Sequence, residues 1–135
     1  MKSLDYFQIT INCLGGLAGM FLGDLSGVMT ALIIFMIVDY ITGVLVAIST
    51  KNLSSSIGFK GIFKKFVILL LVGIANLIDV YVVQIGGGVR LMVIIFYLSN
   101  EGISIIENAT TLGLPVPDKL KSILEQIDDN EETEE

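Results

Sequence analysis

The sequence predicts an all-α integral membrane protein: a bundle of three to four transmembrane helices with a short basic interfacial helix and a C-terminal amphipathic helix. Three observations carry this prediction. The 135 residues are 53% hydrophobic and only 16% charged, too apolar for an ordinary soluble domain. The apolar residues fall into long runs, and two of them, Leu25 to Ile48 and Phe66 to Ile85, supply roughly the 20 residues that a helix rising 1.5 Å per residue needs to cross hydrocarbon. One connection, Lys51 to Lys65, gathers four of the eight basic residues. Such a connection reads as cytoplasmic.

The first element, about residues 6–22, is short for a span and rich in glycine. It crosses tilted or lies in the interface. Gly15, Gly19, Gly23 and Gly27 recur every fourth residue, a small-residue ladder that lets a second helix approach closely or, equally, loosens the chain. The second span is 25–48. In the basic connection Leu53, Ile57, Ile62, Phe63 and Phe66 come at helical spacing between the lysines, which predicts a short interfacial helix started by Ser54 or Ser55. Lys51, Lys60, Lys64 and Lys65 are its expected membrane-surface anchors. The third span, 66–85, ends at Gly86-Gly87-Gly88, a turn that permits only an antiparallel hairpin, and the fourth span, 89–106, returns. Gly113, Pro115 and Pro117 break the chain. Leu120, Ile123, Leu124 and Ile127 then mark one face of an amphipathic helix over 117–127.

Residues 1–127 thus form one membrane domain, and 128–135 an acidic tail expected to be disordered. Seven of the fourteen acids lie between Glu125 and Glu135, so the net charge of −6 belongs to the tail and the membrane part is near neutral. If all four segments cross, every basic residue except Arg90 falls on one side. Seven against one predicts that both termini are cytoplasmic; an interfacial first helix moves only the N-terminus.

Several function classes are excluded. Histidine is absent, which removes the commonest metal ligand and general base, and no Walker loop, HExxH or GxSxG is present. No enzyme activity, cofactor or metal is expected. The one cysteine, Cys13, cannot form an intramolecular disulfide. No basic and aromatic surface suits nucleic acid. The N-terminus lacks the charge pattern and cleavage site of a signal peptide and is expected to stay in the mature chain.

Chemistry is expected where polar groups enter the spans, because lipid offers them no hydrogen bonds. Tyr97, Asn100, Glu101, Ser104, Glu107 and Asn108 form one stripe on the fourth helix. Gly73, Asn76 and Asp79 share a face of the third, and Asp39, Thr42 and Gly43 a face of the second. Asp39, Thr42, Asn76, Asp79, Asn100, Glu101 and Ser104 are the candidate pore or assembly seam, with Gly15, Gly19, Gly23, Gly43 and Gly73 as helix-packing positions. The seams either glue a compact bundle together or line an aqueous path in an oligomer. Three acids inside so small a domain favour the second role. Arg90 follows the glycine turn and is expected to form a structural ion pair with Asp79.

From Leu25 to Ile127 the chain resembles a known family, the lysis and toxin-secretion holins of Gram-positive bacteria and their phages. The resemblance rests on Asp39-Tyr40-Ile41-Thr42-Gly43, on Lys51-Asn52-Leu53-Ser54-Ser55 leading to Gly58, Gly61 and Lys64-Lys65, on Asp79, on the block from Tyr97 to Asn108, and on Gly113-Leu114-Pro115-Val116-Pro117-Asp118-Lys119-Leu120. It implies a homo-oligomer of the cytoplasmic membrane that opens a lesion, through which an endolysin or a large toxin leaves as cargo without a specific binding site. From the residues alone, a small ion channel or proton-coupled carrier and a noncatalytic membrane assembly subunit stay open as alternatives.

Overall fold

The computed structural model describes residues 2–84 and 86–132, and the chain there is helical. The helices are α1 (Lys2–Leu22), α2 (Gly27–Ser49), α3 (Ser55–Leu77), α4 (Gly88–Thr111) and α5 (Asp118–Glu132). A π-helical stretch, Ile78–Val83, prolongs α3. Three helices are long and apolar enough to cross a membrane, Gly27–Ser49, Ser55–Val83 and Gly88–Thr111; α1 is not among them.

Local chemistry sets the ends. Ser26 caps α2 by accepting the Met29 N–H, and Ser54 caps α3 by accepting the Ile57 N–H. The connection between α3 and α4 turns through Gln84, Gly86 and Gly87, all at positive φ (56°, 78° and 94°), which only glycine adopts without strain at two of the three sites. Gly113, at φ 84°, closes α4, and the prolines beyond it precede α5.

The first residues of α2 and α4 lie together beside the end of α1, and Asp39 of α2 meets Asn108 of α4, so these two helices run parallel. α3 is antiparallel to both, because Asn76 near its end reaches α1's last turn while Lys65 nearer its start reaches Asp39. Met29, Leu32 and Met36 of α2, Ile68 and Val72 of α3 and Ile94 of α4 make the apolar core. That core occupies the half of the bundle nearer the glycine turn. Ile34, Ile37, Ile41, Phe66, Ile74 and Leu91 point outward, as residues facing lipid do.

Three expectations change. The interfacial helix is not separate: with no proline between Ser55 and Val83, the basic segment is the first part of α3 itself. α4 runs to Thr111 rather than 106, since the polar residues after Ile106 find partners within the helical form: Asn108 bonds Asp39 and Thr42 of α2, and Thr110 and Thr111 donate to the carbonyls one turn back. α5 extends through Glu132 and so includes most of the tail expected to be disordered; residues 133–135 lie outside the described residues, as does the Ile85 end of the third span. A Lys121–Glu125 pair one turn apart at 3.8 Å supports α5, and Leu124 packs it back onto Gly102 of α4, where a β-carbon would lie 2.9 Å from the leucine.

Candidate functional site

The other half of the bundle has a charged interior. Asp39 of α2, Lys65 of α3 and Glu101 of α4 converge: the Lys65 ammonium donates to Asp39 Oδ2 at 2.6 Å and to Glu101 Oε2. All three are shielded, with side-chain exposures of 15%, 16% and 6%. Asn108 extends the cluster, donating from Nδ2 to Asp39 Oδ1 at 3.2 Å and to Thr42 Oγ1 at 2.9 Å. Thr42 in turn donates to the Val38 carbonyl, one turn back on its own helix. Ser104 and Asn108 line a cavity with Asp39 and Lys65. Among the described residues no buried side-chain nitrogen or oxygen lacks a partner.

The energetics favour keeping this cluster closed. Each buried ion carries a desolvation penalty of several kcal/mol, which only a well-placed partner offsets. Turning any one of the three toward hydrocarbon would cost about 2.5–3.5 kcal/mol. Two carboxylates and one ammonium do not balance in charge, so hydrogen bonds, including the one from Asn108 to Asp39, help to hold the cluster.

Lys65 is therefore not a membrane-surface anchor, as its sequence neighbourhood suggested. It shares a face with Ile68, Val72 and Asn76, at spacings of three, four and four, and that face is turned inward. The continuation of a buried stripe into the basic segment was the available signal. Lys51, Lys60 and Lys64 are exposed.

A second polar group holds the opposite end. Asn76 Nδ2 donates to the carbonyls of Met20, at 3.3 Å, and Phe21, at 3.0 Å, which end α1. Arg90 donates from Nε to the Leu22 carbonyl at 2.8 Å and from its terminal nitrogen to the Asp24 carbonyl. Asp79 accepts the backbone N–H groups of Val89, at 3.0 Å, and Arg90, at 2.7 Å, so it caps the start of α4. The expected side-chain ion pair between Asp79 and Arg90 is not formed. The carboxylate already satisfies the exposed N–H groups of α4, and the guanidinium is drawn to the unpaired carbonyls that end α1.

The glycine positions divide. Gly73 lies under the ring of Phe21, leaving no room for a β-carbon; Gly23, at φ 82°, forms the turn beside Asn76 and Arg90; Gly43 faces the Asn108 amide, 3.8 Å from where a β-carbon would be. Gly15 and Gly19 meet nothing within 4 Å, so they pack no helix within this chain. Gly61 and Gly102, absent from the expected set, receive Tyr40 and Leu124. Asn100 sits half-buried on the α4 stripe next to Glu101.

Similarity to known proteins agrees with this architecture. The family model described as the bacteriophage holin family matches residues 16–129. A probable holin of Bacillus phage phi105 is 33% identical over 105 residues, 77% of either chain. An uncharacterised 14.9 kDa protein of Clostridium perfringens is 37% identical over 124 residues, covering 92% of this chain and 94% of that one. An uncharacterised protein of Listeria monocytogenes is 42% identical over 110 residues, covering 82% and 78%. No solved structure matches. With three membrane-length helices and a family match over most of its length, the chain belongs to the bacteriophage holin family.

Proposed function

We propose that this protein oligomerises in the cytoplasmic membrane and opens a lesion through which an endolysin, or a large protein toxin, leaves the cell. The observation that carries the reading is the Asp39–Lys65–Glu101 cluster, closed inside a bundle whose outer surface is apolar. A subunit opening alone would turn three ions toward lipid, at a cost on the order of 8–10 kcal/mol. Many subunits opening together give those ions a shared aqueous space instead. The step is then collective: closed bundles accumulate, and the seam faces water once enough neighbours contribute to one lesion.

Ser104 and Thr42 adjoin the cluster and would line that space beside the ions, with Asn100, on the α4 stripe one turn before Ser104, beside them. Asn76 and Asp79 instead hold helix ends together and keep the bundle in register during the change. Lys51, Lys60 and Lys64 anchor the inner face to anionic head groups, at about 1 kcal/mol per charge. The Lys51 to Lys65 connection and the C-terminus are cytoplasmic, with Arg90 on the outer side; the N-terminus is cytoplasmic as well if α1 crosses as a fourth, tilted span. The cargo passes because the lesion is wide and needs no binding site.

Proteoliposomes loaded with solutes of graded size test this. Release of folded proteins is the expected result. Passage of ions alone would overturn it in favour of a channel built on Asp39 and Glu101, and the absence of any release would leave an assembly subunit.

A further inference from the structure

The cavity that Asp39, Lys65, Ser104 and Asn108 line has a volume of about 200 Å³ and lies between the second half of α2 and the start of α3, with α4 behind it, apart from the apolar core. Val44, Ala47, Leu53 and Ile57 give it apolar walls. It exists because Gly58 and Gly61 have no side chains: the Tyr40 ring fills part of the space they leave, 3.3 Å from where a Gly61 β-carbon would stand, and the remainder is open. α2 and α3 are both long and apolar enough to cross a membrane, a placement that would set the cavity beside lipid.

Its rim is positive. Lys64 lines the cavity, Lys60 precedes it by one turn of α3, and Lys51 is in the connection before that helix. All three are exposed, and among the described residues none is in an ion pair. The nearest acid in the cavity, Asp39, is already held by Lys65. A largely apolar slot with polar groups only at its α4 side and exposed lysines at its rim suits a hydrocarbon chain attached to an anionic head group.

We infer that this groove binds one anionic phospholipid, its acyl chain between α2 and α3 and its phosphate on Lys64, with Lys60 and Lys51 at the margin. Basic pockets between membrane helices on the cytoplasmic side recognise such head groups. A lipid here would brace α2 against α3 next to Asp39 and Lys65. The site rests on the membrane placement of these helices and not on lesion formation.

The full chain, purified in a neutral detergent, is titrated with phosphatidylglycerol, phosphatidylcholine and inorganic phosphate and read by native mass spectrometry. One phosphatidylglycerol per chain should be retained in preference to phosphatidylcholine, and millimolar phosphate should not displace it. Lys64→Gln should weaken retention about fivefold, the effect of one charge near the surface. Val44→Phe, which fills the slot, should abolish it. Equal retention of the two lipids, displacement by phosphate, or undiminished binding by both variants would overturn the site. So would a Val44→Phe chain that keeps its lipid and loses self-association, since the groove would then be a contact between copies. Lys64 is exposed, so its variant reports on binding even if Val44→Phe does not fold.

Discussion

Lys65 reaches Asp39 at 2.6 Å across the α2–α3 contact, and the same ammonium also bonds Glu101 of α4. One cation therefore ties all three membrane-length helices at one level. Removing it should be far more damaging than removing either acid. Lys65→Met strands two carboxylates and is expected to cost about 3–5 kcal/mol, read as lost yield of folded protein and a lower unfolding midpoint in detergent. Adding Asp39→Asn and Glu101→Gln to that background should restore part of the loss. No recovery would mean that the lysine acts by packing.

Single neutralisation of the acids tests their part in function. Glu101→Gln leaves a one-to-one Asp39–Lys65 pair and should preserve folding, while Asp39→Asn weakens the hold on both Lys65 and Asn108. Both variants should shift the onset of lysis in growing cells. A wild-type schedule for the two of them, at normal membrane levels, would make ionisation at these sites irrelevant.

Asp79 and Arg90 should act on different parts of the fold, because the carboxylate caps α4 and the guanidinium holds the end of α1. Asp79→Ala is expected to cost about 1–2 kcal/mol and to speed amide exchange at Val89 and Arg90. Arg90→Gln should leave those amides protected and loosen α1. Identical exchange patterns in the two variants would restore a direct ion pair.

The Phe21 ring over Gly73 is the other tie between α1 and the bundle. Gly73→Val should expel the ring and raise chymotryptic cleavage after Phe21 several-fold in detergent, with the α2–α4 contact intact. Unchanged cleavage would show that α1 docks by its carbonyls alone.

Cysteines placed at Ser55 and Thr133, in a Cys13→Ser background, should resist a membrane-impermeant thiol reagent in intact cells, and one at Gly87 should react. Labelling of Ser55 from outside would reverse the orientation.

The membrane spans, the glycine hairpin and the polar stripe of α4 were legible in the sequence because hydrophobic run length and helical spacing act over many residues and tolerate errors in any one. The cluster was half legible. Asp39 and Glu101 stood out as acids in apolar runs, but Lys65 sits beside Lys64 and only one residue before Phe66, so its direction depended on whether the basic segment continued α3 or formed a helix of its own. A shift of one residue turns a helical side chain by about 100°, enough to separate a lipid-surface lysine from a buried one. The Asp79–Arg90 pairing failed for a related reason. Spacing brought the residues together, but the unpaired backbone groups at two helix ends decided what each side chain bonded.

For the seam to face water as proposed, lesion opening must separate α2 from α4 at Asp39 and Asn108. Thr42 and Asn108, joined by a 2.9 Å hydrogen bond across that seam, offer the most direct test. Both are replaced by cysteine in a Cys13→Ser background, bridged with a short reducible bifunctional thiol reagent, and reconstituted into liposomes loaded with a fluorescent protein. The account predicts no release while the bridge holds and wild-type release after reduction. Equal release from bridged and reduced protein would contradict it.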